Sequence, residues 1–199
     1  SQIEKGTLFS AYSSTKKPNI NGDNYKEILL FNGKLIIDKD SNLEDPNDSY
    51  NLIKLNRTDI LVETGINISG ISENMIAIGQ KEDGLSSGNN IERKSSGNSL
   101  INKGNINLEG KNSIGIYNSG VYIKETQNKG KITVGNESTG IYILDKDDYS
   151  NENKSRDRKE NSNDGEIIIG DKSVGIYQEY YYEPTGRTFE NNGNINSIS

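Results

Sequence analysis

Reactive chemistry in this chain has to come from carboxylates and phenols, because the sequence contains neither histidine nor cysteine. Without histidine the usual general base and the commonest metal ligand are gone. Without cysteine there is no disulfide and no thiolate metal site. Asp145, Asp147 and Asp148 crowd the start of "ILDKDDYSNENKSRDRKENSND", Ile143 to Asp164. An EF-hand loop needs ligands at fixed offsets, a central Gly and a terminal Glu, and that pattern is missing. The glycine-rich calcium nonapeptide is missing too, so a solvated loop is expected here. Glycoside hydrolysis needs two carboxylates roughly 5–9.5 Å apart across a groove. Glu109, Glu137, Glu166 and Asp171 lie on or near regular segments, yet none recurs with a cluster of Arg, Lys or aromatic residues. The slot of Glu166 holds Asn105, Lys131 and Asn194 in related segments, which is how a solvated surface behaves. We assign no catalytic residue, no metal ligand and no cofactor, and read the chain as non-enzymatic.

The phenols are more informative. Of 14 aromatic residues (11 Tyr and 3 Phe), Tyr180, Tyr181, Tyr182 and Phe189 fall within ten positions of "YQEYYYEPTGRTFEN", with Arg187 among them. Pro at the second position of "EPTG" suits a turn that makes a hairpin of its flanks. Tyrosine favours interfaces, through an apolar body and a polar tip. These five residues are therefore the candidate ligand-binding set, the alternative being that they cover the side of a scaffold.

That scaffold is written as a repeat. "NSIGIY" (Asn112–Tyr117), "ESTGIY" (Glu137–Tyr142) and "KSVGIY" (Lys172–Tyr177) each follow an Asn-x-Gly-x-Ile segment that starts at Asn102, Asn128 or Asn163. Another such segment starts at Asn191, and "TGINISGISENMIAIG" (Thr64–Gly79) is a weaker early copy. Successive glycines of the first half, Gly104, Gly130, Gly165 and Gly193, lie 26, 35 and 28 positions apart. The offset from first half to second is 11, 10 and 10, so the module is constant while one connection varies. Strict alternation puts the Ile columns inward. It puts Gly115, Gly140 and Gly175 outward beside an outward column of Tyr117, Tyr142 and Tyr177, a ladder if units stack at ~4.8 Å. Asn102, Asn128, Asn163 and Asn191 are expected at turns, where Asn tolerates the left-handed conformation.

No segment reads as a helix. One unit cannot bury its Ile face alone, so stacking must close the core. The expected fold is all-β: a right-handed parallel β-helix with variable loops inserted at one corner. Regular repeats span residues 61–199, with insertions at 118–127, 143–164 and 178–190. The chain stops inside a repeat, as a piece of a longer protein would. Residues 1–60 are read as irregular early β coils or a small cap. The first insertion is expected to contribute a strand or hairpin.

Composition narrows the class. Apolar residues make up only 30%, against roughly 45–50% for globular chains, and net charge is −6. An acidic chain does not suit nucleic acid. No apolar run reaches the ~20 residues that span a bilayer, so no membrane insertion is expected.

Tandem "N-x-G-x-I … S-x-G-I-Y" units resemble the passenger domains of large type V autotransporters, particularly the long adhesins of fusobacteria and related anaerobes. The resemblance covers roughly Thr64 to Ser199. It implies a β-helix displayed from the outer membrane at the bacterial surface. It also implies attachment to a host-cell glycan or protein, or to another bacterium. It supplies no site residue. The competing readings are a stalk that spaces a distal tip and, third, a polysaccharide-acting β-helix enzyme.

Overall fold

In a computed structural model, the described residues are 2–3, 8–11, 19–20, 27–30, 34–38, 40–43, 54–55, 59–81, 98–120, 123–145, 160–180 and 188–198. None of them is helical, and every strand pairing is parallel. Two short pairs come first, β1 (Gln2–Ile3) with β3 (Asn19–Ile20) and β2 (Leu8–Ala11) with β4 (Glu27–Leu30).

Three larger sheets hold the rest. The asparagine sheet runs β5 (Lys34–Ile37), β8 (Asp59–Val62), β11 (Asn98–Asn102), β14 (Ile123–Asn128), β17 (Asn161–Asn163), β20 (Phe189–Asn191). The isoleucine sheet runs β6 (Ser41–Leu43), β9 (Asn67–Gly70), β12 (Asn105–Leu108), β15 (Lys131–Val134), β18 (Glu166–Ile169), β21 (Asn194–Ser197). The tyrosine sheet runs β7 (Lys54–Leu55), β10 (Ile76–Lys81), β13 (Ile114–Gly120), β16 (Thr139–Asp145), β19 (Val174–Tyr180). Each consecutive trio of strands gives one member to each sheet, and the next trio pairs alongside it. We call each trio a tier. Strands from Lys34 onward already belong to these sheets, so the tiers begin before residue 61.

β-Branched side chains fill the interior. Ile68, Ile106, Ile132 and Ile167 form one buried column, in register along β9, β12, β15 and β18. Ile116, Ile141 and Ile143 face them from the tyrosine sheet and are also buried. A stiff Ile or Val suits such a column because its single preferred rotamer repeats without entropic penalty from tier to tier.

The glycine column departs from the expected alternation. Gly115, Gly140 and Gly175 are buried, not outward, and so are the following Ile116 and Ile141. Pairing skips the glycine in each copy, from Ile114↔Thr139 to Ile116↔Ile141. The strand kinks there, and two successive residues point inward, as in a bulge. Space explains the glycine. A Cβ on Gly115 would stand 2.7 Å from Ile132 Cγ2, and one on Gly140 would stand 2.7 Å from Ile167 Cγ2. The tyrosine sheet thus packs its bare backbone onto the Ile column of the next tier.

The repeated asparagines also depart from expectation. Asn102, Asn128 and Asn163 are fully buried at strand ends rather than left-handed at turns. Asn102 Nδ2 donates to Asn128 Oδ1 at 2.9 Å, Asn128 Nδ2 to Asn163 Oδ1 at 2.8 Å, and Asn163 Nδ2 to Asn191 Oδ1 at 2.8 Å. Asn102 also closes on its own turn, accepting from Gly104 N at 3.1 Å. Positive φ occurs instead at Asn74, Asn112, Glu137 and Lys172, the equivalent corner of four tiers. Beside it a serine ladder runs, Ser113 N to Ser138 Oγ and Ser138 N to Ser173 Oγ, both at 3.0 Å.

These columns yield two stability predictions and one control. Gly140→Ala, whose Cβ meets the Gly175 carbonyl at 2.6 Å as well as Ile167, should cost about 2–3 kcal/mol. Asn128→Ala orphans buried groups on both sides and should cost on the order of 3 kcal/mol. Asn105→Ala, in the exposed pair with Asn67 Oδ1, should stay within about 0.5 kcal/mol. Urea denaturation of the three variants checks all three values.

Candidate functional site

The tyrosine column sits on the outer face of its sheet. After the kinked glycine, residues alternate regularly: Ile141 in, Tyr142 out, Ile143 in. Register pairs Tyr117 with Tyr142 and Tyr142 with Tyr177. Tyr142 and Tyr177 stack, with centroids 4.8 Å apart at 29°, and Tyr117 lies tilted against Tyr142, with centroids 5.3 Å apart at 32°. Such offset contacts contribute roughly 0.5–1.5 kcal/mol beyond the area they cover. Gly79 occupies the slot before Tyr117, so the column starts there. Tyr177 is its last member among the described residues and the most open of the three, 41% exposed.

Tyr177 is also the electrostatically marked member. Its hydroxyl donates to Glu179 Oε2 at 3.0 Å. That hydrogen bond, helped by the negative charge of Glu179, raises the phenol above its ordinary pKa. The column therefore offers a row of ring edges and hydroxyls, most exposed at Tyr177. This surface can stack on a flat apolar face and hydrogen-bond beside it.

The aromatic segment of the third insertion is placed differently. Tyr181, Tyr182 and Arg187 lie outside the described residues. Tyr180 is half-buried in β19, paired with the fully buried Asp145. Its hydroxyl accepts from Gln178 Nε2. Phe189 packs partly buried against the core from β20. The "EPTG" turn and its immediate flanks lie outside the described residues; the strands that precede and follow them, β19 and β20, pair with β16 and β17. The first insertion contributes strand, as expected: residues 118–120 end β13 and residues 123–127 lie in β14, in a different sheet.

Sequence reasoning missed a polar interior where the tyrosine and asparagine sheets meet. Asn118 Nδ2 donates to Thr126 Oγ1 at 2.8 Å. Thr126 N donates to Asn161 Oδ1 at 2.9 Å, and Asn161 Nδ2 to Gln178 Oε1 at 3.0 Å. The only available signal was that Asn118 and Gln178 follow the Gly-Ile-Tyr segment at inward parity. Asp145, first of the acids that suggested a cation loop, is buried at this corner, while Asp147 and Asp148 lie outside the described residues. No group of three or more acids among the described residues is placed to hold a metal ion.

No protein-family model matches the chain, and no curated protein or solved structure does either.

Tyr177 yields a pH prediction. A raised phenol pKa means the neutral ring is favoured in the folded state. That stabilisation is complete below the unfolded pKa, ~10, and is lost as pH rises through the higher folded value. In an ultraviolet phenolate titration, Tyr177→Phe should delete a late-titrating component, and Glu179→Gln should move that component earlier.

Proposed function

We propose that the chain is a right-handed parallel β-helix segment of a type V autotransporter passenger, acting as a non-catalytic adhesin at the bacterial surface. The supporting sequence feature is the paired Asn-x-Gly-x-Ile and Ser-x-Gly-Ile-Tyr repeat. The all-parallel, three-sheet topology supports the winding, since strand trios that each add to the same three sheets are what a β-helix produces. The observation that carries the adhesion reading is the stacked, outward tyrosine column. It is a preorganised aromatic stripe on a rigid sheet, and such anchors dominate recognition surfaces. Its partner is a host-cell glycan or protein, or the surface of another bacterium.

The purified chain should bind host cells or a partner bacterium in a pull-down. Replacing Tyr117, Tyr142 and Tyr177 together with Ser should weaken that binding roughly tenfold or more. Replacing Tyr181 and Tyr182 with Ser asks the same of the third insertion. Circular dichroism shows whether each variant stays folded. Equal binding by the column variant removes the column from recognition. Absence of binding by the unsubstituted chain points to a stalk instead.

A further inference from the structure

The corner between the isoleucine and tyrosine sheets carries a second surface, one that takes no part in the tyrosine column. Its connections are short and unbroken by insertions. Residues 71–75 and 109–113 make five-residue links, and residues 135–138 and 170–173 make four-residue links. The register on either side is unchanged, Leu108↔Val134 before the link and Ile114↔Thr139 after it. The extra residue is therefore taken up in the corner itself. Over this step lies a groove of about 610 Å³.

Its floor is backbone. Gly110 and Gly135 contribute no side chain, and a Cβ on either would collide with a carbonyl of the tier before it. Its walls mix polar side chains, Asn107, Thr133, Asn136 and Glu109, with the apolar Leu108 and Val134. Ile71 and Ile198 stand at its two ends, 68% and 52% exposed. Ile71 directly follows β9 and Ile198 directly follows β21, and the lining between them comes from the ends of β12 and β15 and the links after them, so the groove follows the stack over the β9, β12 and β15 tiers, roughly 10 Å at ~4.8 Å per strand.

These features select a ligand class. The strands under the groove, β12 and β15, are each hydrogen-bonded on both sides. They have no free backbone row to offer an extended peptide, which needs an open edge. Side-chain amides and a hydroxyl are what remain, and both donate and accept, as sugar hydroxyls do. Asn136 Oδ1 is already engaged by Asp171 N at 2.9 Å, which leaves its Nδ2 as a donor. The charges disfavour an acidic glycan. Lys111 Nζ lies 3.9 Å from Glu73 Oε1, so the cation faces a carboxylate of its own and Glu109 adds a further negative charge. Ile71 and Ile198 supply apolar patches for the C–H faces of pyranose rings. One strand-to-strand step also roughly matches the advance of one residue in an extended glycan.

We propose that this corner groove binds a neutral, linear oligosaccharide laid along the stack. The site stands apart from the tyrosine column and from the adhesion reading.

The test titrates the chain with maltohexaose, cellohexaose and chitohexaose, and with hexagalacturonate as the acidic counterpart, by calorimetry and amide NMR. One neutral hexasaccharide should bind, with shifts confined to residues 107–111 and 133–136. Thr133→Trp, which fills the groove from an outward position, should weaken that binding roughly tenfold or more. The triple Tyr→Ser column variant should bind the sugar as before. Shifts mapping to the tyrosine column, undiminished binding by a folded Thr133→Trp chain, preference for hexagalacturonate, or no binding of any neutral hexasaccharide each overturns the proposal. Cell attachment in the same preparation is read separately, so loss of the groove leaves the adhesion reading standing or falling on its own.

Discussion

A buried carboxamide is costly unless each of its polar atoms is matched. The asparagine ladder meets that demand by repetition, with each side chain satisfied by the same side chain one strand away. The rest of the stack depends on this bond because it tolerates no slip. Sliding one strand by a single residue would put every inward side chain outward and leave a row of amides unpaired. The serine ladder at the next corner and the glycine-on-isoleucine contact repeat the same logic with different atoms. Register is thus specified three times around the section, once by amide, once by hydroxyl and once by close packing.

Much of the isoleucine and tyrosine sheets was legible because both follow local rules. Asn-x-Gly-x-Ile marks β12, β15, β18 and β21, and Gly-Ile-Tyr marks β13, β16 and β19. The tyrosine stacking was legible for the same reason, since the offset between the two motifs is nearly fixed. The asparagine sheet was not. Its strands read "NSLIN", "IKETQN", "NSN" and "FEN", and share only their final residue. Their inward positions hold Glu125, Thr126 and Asn161, so the apolar alternation that betrays a strand is absent.

Two further misreadings have physical causes. Alternation assigns Gly115, Gly140 and Gly175 outward, but a kink reverses the phase at those positions, and phase reversals leave no trace in side-chain type. Asparagine suggests a left-handed turn, yet the left-handed corner accepts Asn74, Asn112, Glu137 and Lys172, whereas Asn102, Asn128 and Asn163 end strands and are buried. For the candidate site, tyrosine density pointed to the third insertion, of which Tyr180 is half-buried in β19 and Phe189 packs against the core, while Tyr181, Tyr182 and Arg187 lie outside the described residues. The corner groove was announced only by a change of offset from 11 to 10 between motif halves, a signal of shape rather than of chemistry.

The asparagine ladder also gives the molecule an arrow. Every link donates in the same sense, from Asn102 toward Asn191, and the contact from Gly104 N to Asn102 Oδ1 fixes that sense at one end. The amide dipoles add head to tail and polarise one another. The ladder begins inside the stack, where β8 sets Val62 and not an amide opposite Asn102. With the Asn102 oxygen held there by Gly104 N, the run of amides has a fixed start, and each later asparagine takes its orientation from the one before it.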